Sequence, residues 1–382
     1  MGGGGGGGAG TFGYDVNFLK KYQNTIVLQN EEAMLAVCPA YQGRVMTSSA
    51  RGEAGLSFGW INYKLIESAE IPAHIYPVGG EDRFWLGPEG GQFSIYFKSG
   101  APFDFESWQT PPPIDTEPFD LVKNDEYSAL FTRSFELTNY SDTKFNIRVD
   151  RKISLLSSAE IQNMVPVTDE LSFVAYESEN TITNTGENPW TNETGALSIW
   201  ILGMFNPSES TTIIIPYKTG DEGELGPIVN DSYFGKVPTD RLIVQDGLIF
   251  FRGDGKYRSK IGLNPRRALS MAGSYDEKNG VLTIVTYTKP EGVDEYVNSM
   301  WELQEEPFSG DAINSYNDGP VDGNMMGPFY ELETSSPAAF LAPNESLTHT
   351  HRTIHIQGDE GALDKVVMEL FKTDLKSIKA AF

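Results

Sequence analysis

Apolar and β-branched residues come in short runs along most of this chain, each closed by Gly, Pro, Asn or Asp. That pattern predicts strands over Thr25 to Leu28, Met34 to Val37, Phe93 to Phe97, Ala129 to Phe135 and Lys144 to Val149. It predicts further strands over Leu197 to Met204, Thr212 to Tyr217, Leu248 to Arg252, Val281 to Tyr287 and Phe329 to Glu333. Helical spacing is confined to the ends. Val16, Leu19 and Tyr22 share a face behind Asp15 as candidate cap. Leu363, Val366, Val367, Leu370 and Phe371 repeat that spacing within a helix expected at about 361–380, with Asp374 able to cap a further turn. No strand–helix alternation runs between the ends, which argues against a doubly wound fold. The expected fold class is all-β: two stacked antiparallel sheets with short terminal helices and one concave face open to ligand.

No fixed-period repeat or shift of composition divides the chain, so residues 11–382 are expected to form one domain. The Pro-rich stretch 111–118 reads as a surface loop, because strand patterning resumes on both sides. Residues 1–10, with the run Gly2 to Gly8, read as a flexible tether or an added segment outside the fold. A glycine tract ahead of an acidic β domain suits a lipoprotein linker. The expected location is therefore periplasmic or extracellular, with lipid anchoring through an N-terminus beyond this chain.

Charge narrows the candidate partners. Lys and Arg number 29 against 53 Asp and Glu, a net charge of −24, which repels phosphate backbones and anionic lipid. Nucleic acid is not an expected partner. The longest apolar stretch, Ala196 to Phe205, is too short to cross a bilayer. The single Cys38 allows neither an internal disulfide nor a cysteine-built metal site, and reads as a small core residue. No cofactor is expected, and the chain is expected to be a monomer. Nucleophile-elbow, phosphate-loop and dinucleotide motifs are absent.

Three segments concentrate chemistry. Gly79 to Gly91 holds Glu81, Asp82, Arg83, Trp85 and Glu89 among five glycines. Carboxylates that accept from hydroxyls and an aromatic face for ring C–H groups suit a sugar site, with glycines letting backbone approach the ligand. A turn-rich loop in which Arg83 pairs with a neighbouring acid needs no ligand. In the second segment, strand parity puts Glu331 and Glu333 on one face, and His349, His351 and His355 on one face of the following strand. Carboxylate beside imidazole is an acid/base arrangement, or a divalent-metal site, or a solvated strand face. The third segment, Arg252 to Lys260, alternates Lys256, Arg258 and Lys260. Such a ladder pairs with neighbouring acids or receives an anionic ligand.

Taken together these segments resemble the galactose mutarotase-like superfamily. The Gly79 to Glu89 block resembles the region where aldose epimerases carry a sugar-contacting element. Thr181 to Gly186 is similar to their segment around an Asn before a turn. Leu332-Glu333-Thr334, followed by Ala342 to Ser346, resembles their late strand with the catalytic glutamate. The chain from Phe12 onward also resembles a family of secreted bacterial proteins marked by Gly79 to Glu89 and Tyr330 to Ala338. The resemblance implies a large two-sheet β-supersandwich and a mono- or oligosaccharide ligand, with acid/base chemistry at a sugar ring or glycan binding without turnover. It implies Glu333 as base. Aldose epimerases also use two histidines, but Gly79 stands at the first matching position and no His accompanies Asn184. His349, His351 and His74 are then the candidate acids. Glu81, Arg83, Trp85, Glu89, Arg252, Arg258 and Glu331 are expected to shape the pocket. If the cations share Glu333's cleft, the ligand carries an anionic group.

Overall fold

Alternation along the strands builds sheets of two kinds. In the computed structural model, which describes residues 7–382, three antiparallel sheets are present. The glycine run through Gly6 lies outside the described residues.

The ten-stranded sheet runs, in spatial order, Leu242–Gln245, Leu248–Arg252, Thr211–Pro216, Met271–Asp276, Val281–Tyr287, Ser346–Gly358, Leu171–Asn184, Lys144–Leu155, Ser128–Thr138 and Asp120–Asn124. A five-stranded sheet follows the order Ser259–Leu263, Ile313–Asn317, Tyr330–Ser335, Ser198–Phe205 and Arg83–Gly87. Ile26–Asn30, Ala33–Cys38 and Arg44–Ser49 form a three-stranded sheet. The architecture is an antiparallel β-sandwich. Its core is continuous with the inward positions of both large sheets: Phe131, Phe145, Ile147, Tyr176, Ile199 and Ile201 are all buried in one cluster.

The C-terminal segment forms Glu360–Phe371 and Leu375–Lys379, the second capped by Asp374. Leu363, Val366, Val367 and Phe371 bury the apolar face of the first against the large sheet. At the other end Phe12–Tyr22 is a helix, but Thr11 caps it. Asp15 is instead buried, accepting from the Ser57 and Tyr63 hydroxyls. Burial holds its carboxyl above the usual range, with those two bonds opposing. The predicted strand at Phe93–Phe97 is an irregular segment. Its aromatic side chains are buried. Its backbone bonds loop segments rather than a neighbouring strand: Ile95 N donates to the Pro88 carbonyl, and the Ser94 and Tyr96 carbonyls accept from Tyr140 N and Gln109 N.

Two of the glycines in Gly79 to Gly91 serve backbone packing. Gly79 and Gly80 sit at φ +105° and +111°, and a Cβ at Gly79 would stand 2.1 Å from the Trp60 carbonyl. This close approach ties the 79–83 segment beneath the small sheet, and it fixes where Glu81, Asp82 and Arg83 point.

Candidate functional site

Directly opposed residues of an antiparallel sheet share a face, so the register of the five-stranded sheet defines one. Arg83 lies opposite Leu202, Leu202 opposite Glu333, and Glu333 opposite Asn314, which faces Gly262. The adjacent rows add Trp85, Trp200 and Ser335 on one side, and Met204, Glu331, Tyr316 and Lys260 on the other. Five strands from four distant parts of the chain thus bring two carboxylates, two cations and two tryptophans to one surface.

Glu333 is 1% exposed. Its Oε1 accepts from Trp200 Nε1 at 2.9 Å and from Lys260 Nζ at 3.2 Å. Its Oε2 is buried with no partner. Burial by itself would push Lys260 down, but Glu333, Glu89 and Glu331 outweigh it and hold the ammonium above its ordinary value. Gly262 makes room for this arrangement, because a Cβ there would meet Asp311 Oδ2 at 2.2 Å.

Glu331, two residues away on the same face, stands 3.6 Å from Arg83. Burial pushes its carboxyl up to about 8; Arg83 opposes this and the Glu333 charge adds to it. Arg83 also lies 4.1 Å over the Trp85 ring. Glu89 completes the group, accepting from Trp301 Nε1 at 2.9 Å. Burial raises Glu89 as well, against Lys260 and the Trp301 bond. The face therefore pairs a glutamate bonded to Lys260 with neighbouring glutamates driven toward the protonated form.

The site is covered. Tyr233 bonds Asp311 and places its ring 5.4 Å from Lys260 Nζ. The space left between Trp200, Lys260, Glu89 and Tyr233 is about 20 Å³, room for about one water. The expected open concave face is closed by the loops that carry Tyr233 and Val297 to Asp311. Anything larger than a water needs the Tyr233 segment to move aside.

Several sequence expectations are corrected by this geometry. His349 and His351 do not face Glu333. They are buried between the sheets, both bonded to Thr334 Oγ1, at 2.9 Å from His349 Nε2 and 2.7 Å from His351 Nδ1. Thr334 alternates with Glu333 on the strand, so the imidazoles approach from the opposite side. This also separates them from the carboxylates with which a metal site was conceivable. Among the described residues no group of three or more His, Cys, Asp or Glu side chains is disposed to hold a metal ion.

Glu81 likewise turns inward. It accepts from Tyr176 Oη at 2.9 Å and bonds His355 Nε2 at 2.5 Å. His74 lies at the rim of an aromatic group, its Nδ1 2.6 Å from the Trp108 carbonyl. Trp108 and Trp301 stand between it and Glu89. Arg252 belongs to the large sheet, 3.7 Å from Asp254 and beside the Phe382 ring. Arg258 is exposed at the edge of the face, bonding Tyr316 Oη at 3.3 Å and covering the Phe234 ring. The cation ladder is dispersed because the strand begins only at Ser259, leaving Lys256 and Arg258 in the preceding loop. Lys260 alone reaches the carboxylates.

In the sequence, Lys260 is only a rung of that ladder, and Trp200 only part of an apolar run. Nothing local marked either one, since Glu333 lies 73 and 133 residues away.

The fold and the face together define a mutarotase-like β-sandwich with a buried carboxylate site on its smaller sheet. Residues 10–382 match the family of unknown function DUF6786, and the chain belongs to that family. No curated protein sequence matches the chain. Among solved structures, the fold is similar to that of the Slr1438 protein from Synechocystis, with a TM-score of 0.54 at 12% identity, over 88% of this chain and 96% of that one. A galactose mutarotase-like protein from Lactobacillus casei gives 0.52 at 10% identity, over 87% and 100%. A putative aldose 1-epimerase from Escherichia coli gives 0.50 at 12%, over 88% and 100%.

Proposed function

We propose that the Glu333 face binds a neutral sugar and performs aldose 1-epimerase-like acid/base chemistry on it. The observation that carries this reading is the buried, unpartnered Oε2 of Glu333, beside an Oε1 already bonded by Trp200 and Lys260. An idle acceptor on a carboxylate gripped through its other oxygen is disposed to take a proton from a hydroxyl. Glu331 takes the role expected of a histidine. Raised to about 8, it is a carboxylic acid at neutral pH and can donate. In the reaction, Glu333 removes the proton of the anomeric hydroxyl while Glu331 protonates the ring oxygen, and the C1–O bond opens to the free aldehyde. Rotation about C1–C2 and reclosure, with the protons returned, gives the other anomer. The ligand is neutral because Lys260, the cation beside Glu333, already has that carboxylate as its partner, while Arg83 is buried over the Trp85 ring.

Polarimetry on a panel of aldoses, combined with titration calorimetry, tests this. Glu333→Gln is expected to abolish mutarotation above the buffer rate and to weaken binding of the preferred sugar 10- to 100-fold. Mutarotation that survives intact in the variant, or is never seen with any aldose that binds, overturns the catalytic reading.

The acid assignment predicts an alkaline limit. Mutarotation falls as pH rises through about 8, where Glu331 loses its proton. Sugar binding by the wild type weakens over the same range, whereas Glu331→Gln keeps a donor at every pH, so its binding stays level above pH 8 while turnover is lost. A limit unmoved by this substitution assigns the pH effect to another group.

Glycan binding without turnover is favoured by one observation. Among the described residues all four histidines lie off this face. Calorimetric binding that Glu333→Gln weakens, without mutarotation, selects that reading.

A further inference from the structure

On the other side of the Tyr330–Ser335 strand from Glu333 lies a larger space. We propose that the chain carries there a second ligand site, a cavity of about 270 Å³ floored by His355, Thr283 and Tyr330, which takes a neutral polyhydroxylated molecule of monosaccharide size or smaller. The volume is close to the lower bound of about 300 Å³ for small-molecule pockets, and far above the 10–15 Å³ or so that one water requires.

The floor is built by strand register. Ser274 lies opposite Thr283, and Thr283 opposite His355, on adjacent strands of the large sheet. His355 is 1% exposed and held on both nitrogens: Nε2 by Glu81 at 2.5 Å and Nδ1 by Thr283 Oγ1 at 2.7 Å. The Phe58 ring stacks on it at 4.3 Å, fixing its plane. Tyr330 reaches down from the smaller sheet, its Oη 2.8 Å from Ser274 Oγ. Behind His355, Tyr176 bonds Glu81, whose Oε2 is buried without a partner. The polar floor is thus oriented from behind by a fixed network. Exposed Asn206 and Asn279 stand at the mouth.

The lining selects the ligand class. Among the described residues that line the cavity there is no lysine or arginine, so nothing neutralises a phosphate or carboxylate. The single carboxylate, Asp276, already accepts from Ser208 Oγ, Ser210 Oγ and the backbone and side chain of Asn279, leaving little for an ammonium. What remains are hydroxyls and amides, groups that both donate and accept, since both nitrogens of the His355 imidazole are already taken. Their complement is a set of hydroxyls that do the same. Leu56, Phe58, Pro207 and Val281 supply apolar wall for the C–H surface of such a molecule.

Calorimetric or ligand-observed NMR titration of the whole chain with D-glucose, myo-inositol and glycerol tests the site. At least one probe is expected to saturate, to bind at least tenfold more weakly to Asn279→Trp, which plugs the mouth, and to keep its affinity in Glu333→Gln. Thr283→Val, equal in size but without the hydroxyl, is expected to weaken the same event with an unchanged circular dichroism spectrum. No saturation by any of the three, or equal affinity in Asn279→Trp and Thr283→Val, overturns the proposal. Binding lost only in Glu333→Gln also overturns it while supporting the Glu333 site, so the two readings fail separately.

Discussion

Replacing Arg151 with methionine is expected to remove about 3–5 kcal/mol of folding stability, because it leaves a buried carboxylate without its counter-charge. Arg151 and Asp82 are both wholly buried, with Nη1 2.8 Å from Asp82 Oδ1. The guanidinium also donates to Asn180 Oδ1 at 2.8 Å, the Asp82 carbonyl at 2.7 Å and the Gly43 carbonyl at 3.3 Å. These partners come from the large sheet, the 79–83 segment and the turn leading into the small sheet, so one side chain joins three layers. Burial raises Asp82 above the usual carboxylate range even with Arg151 opposing it. Without Arg151 the carboxyl must take up a proton or remain an unpaired charge, and the three carbonyl oxygens lose their donor. Urea denaturation checks this: with a slope of roughly 2–3 kcal/mol/M, the midpoint should fall by about 1–2.5 M. Asp82→Asn in the Arg151→Met background should recover part of the loss, since it removes the stranded charge. A loss below about 1 kcal/mol, or no recovery in the double variant, would show that the pair is not a stabilising contact between the layers.

The second large effect is sensitivity to acid. His349 and His351 are each lowered to about 3, first by burial and then by the neighbouring positive charge, His351 for His349 and Arg151 for His351. Their folded values lie below the unfolded value of 6.5, so the unfolded chain binds protons that the folded chain refuses. Stability therefore falls as pH falls from about 6.5 towards about 3, by roughly 1.4 kcal/mol per pH unit for each histidine. Raised carboxyls such as Asp115, pushed by burial to about 6, slope the other way. The comparison of wild type with His351→Gln cancels them. Glutamine costs stability at pH 7, where it cannot reproduce the imidazole's packing on Thr334. That deficit should shrink by about 1.4 kcal/mol for each unit below pH 6.5, and reverse in acid. A difference that stays constant between pH 7 and pH 4 would mean that His351 titrates normally in the fold.

Both effects arise in the polar layer between the sheets, which holds the histidines that the sequence pattern offers as candidate acids. Alternation put Glu331 with Glu333 on one side of their strand and His349, His351 and His355 together on theirs, and the pairings agree with that parity. Strand bounds at Leu248–Arg252 and Val281–Tyr287 followed directly from β-branched and aromatic residues between Gly, Asn and Asp. The aromatic run Phe93–Phe97 carried the same local signal, but its backbone found partners in loops.

Sequence by itself thus determined the β class, many of the strands, the terminal helices and the resemblance that singled out Glu333. Period-two alternation records which side chains travel together, because successive residues point to opposite faces of any strand. It does not record which face a second sheet will cover. Packing of the five-stranded sheet on the ten-stranded sheet decided that the imidazoles are interior and the two glutamates lie on the other side. Register between distant strands decided that Lys260 and Trp200, rather than a histidine, reach Glu333. Glu81 and Arg83 show the same division two residues apart. Close backbone packing at Gly79 and Gly80 sends the first toward His355 and the second toward Glu331, a choice made by contacts with strands far along the chain.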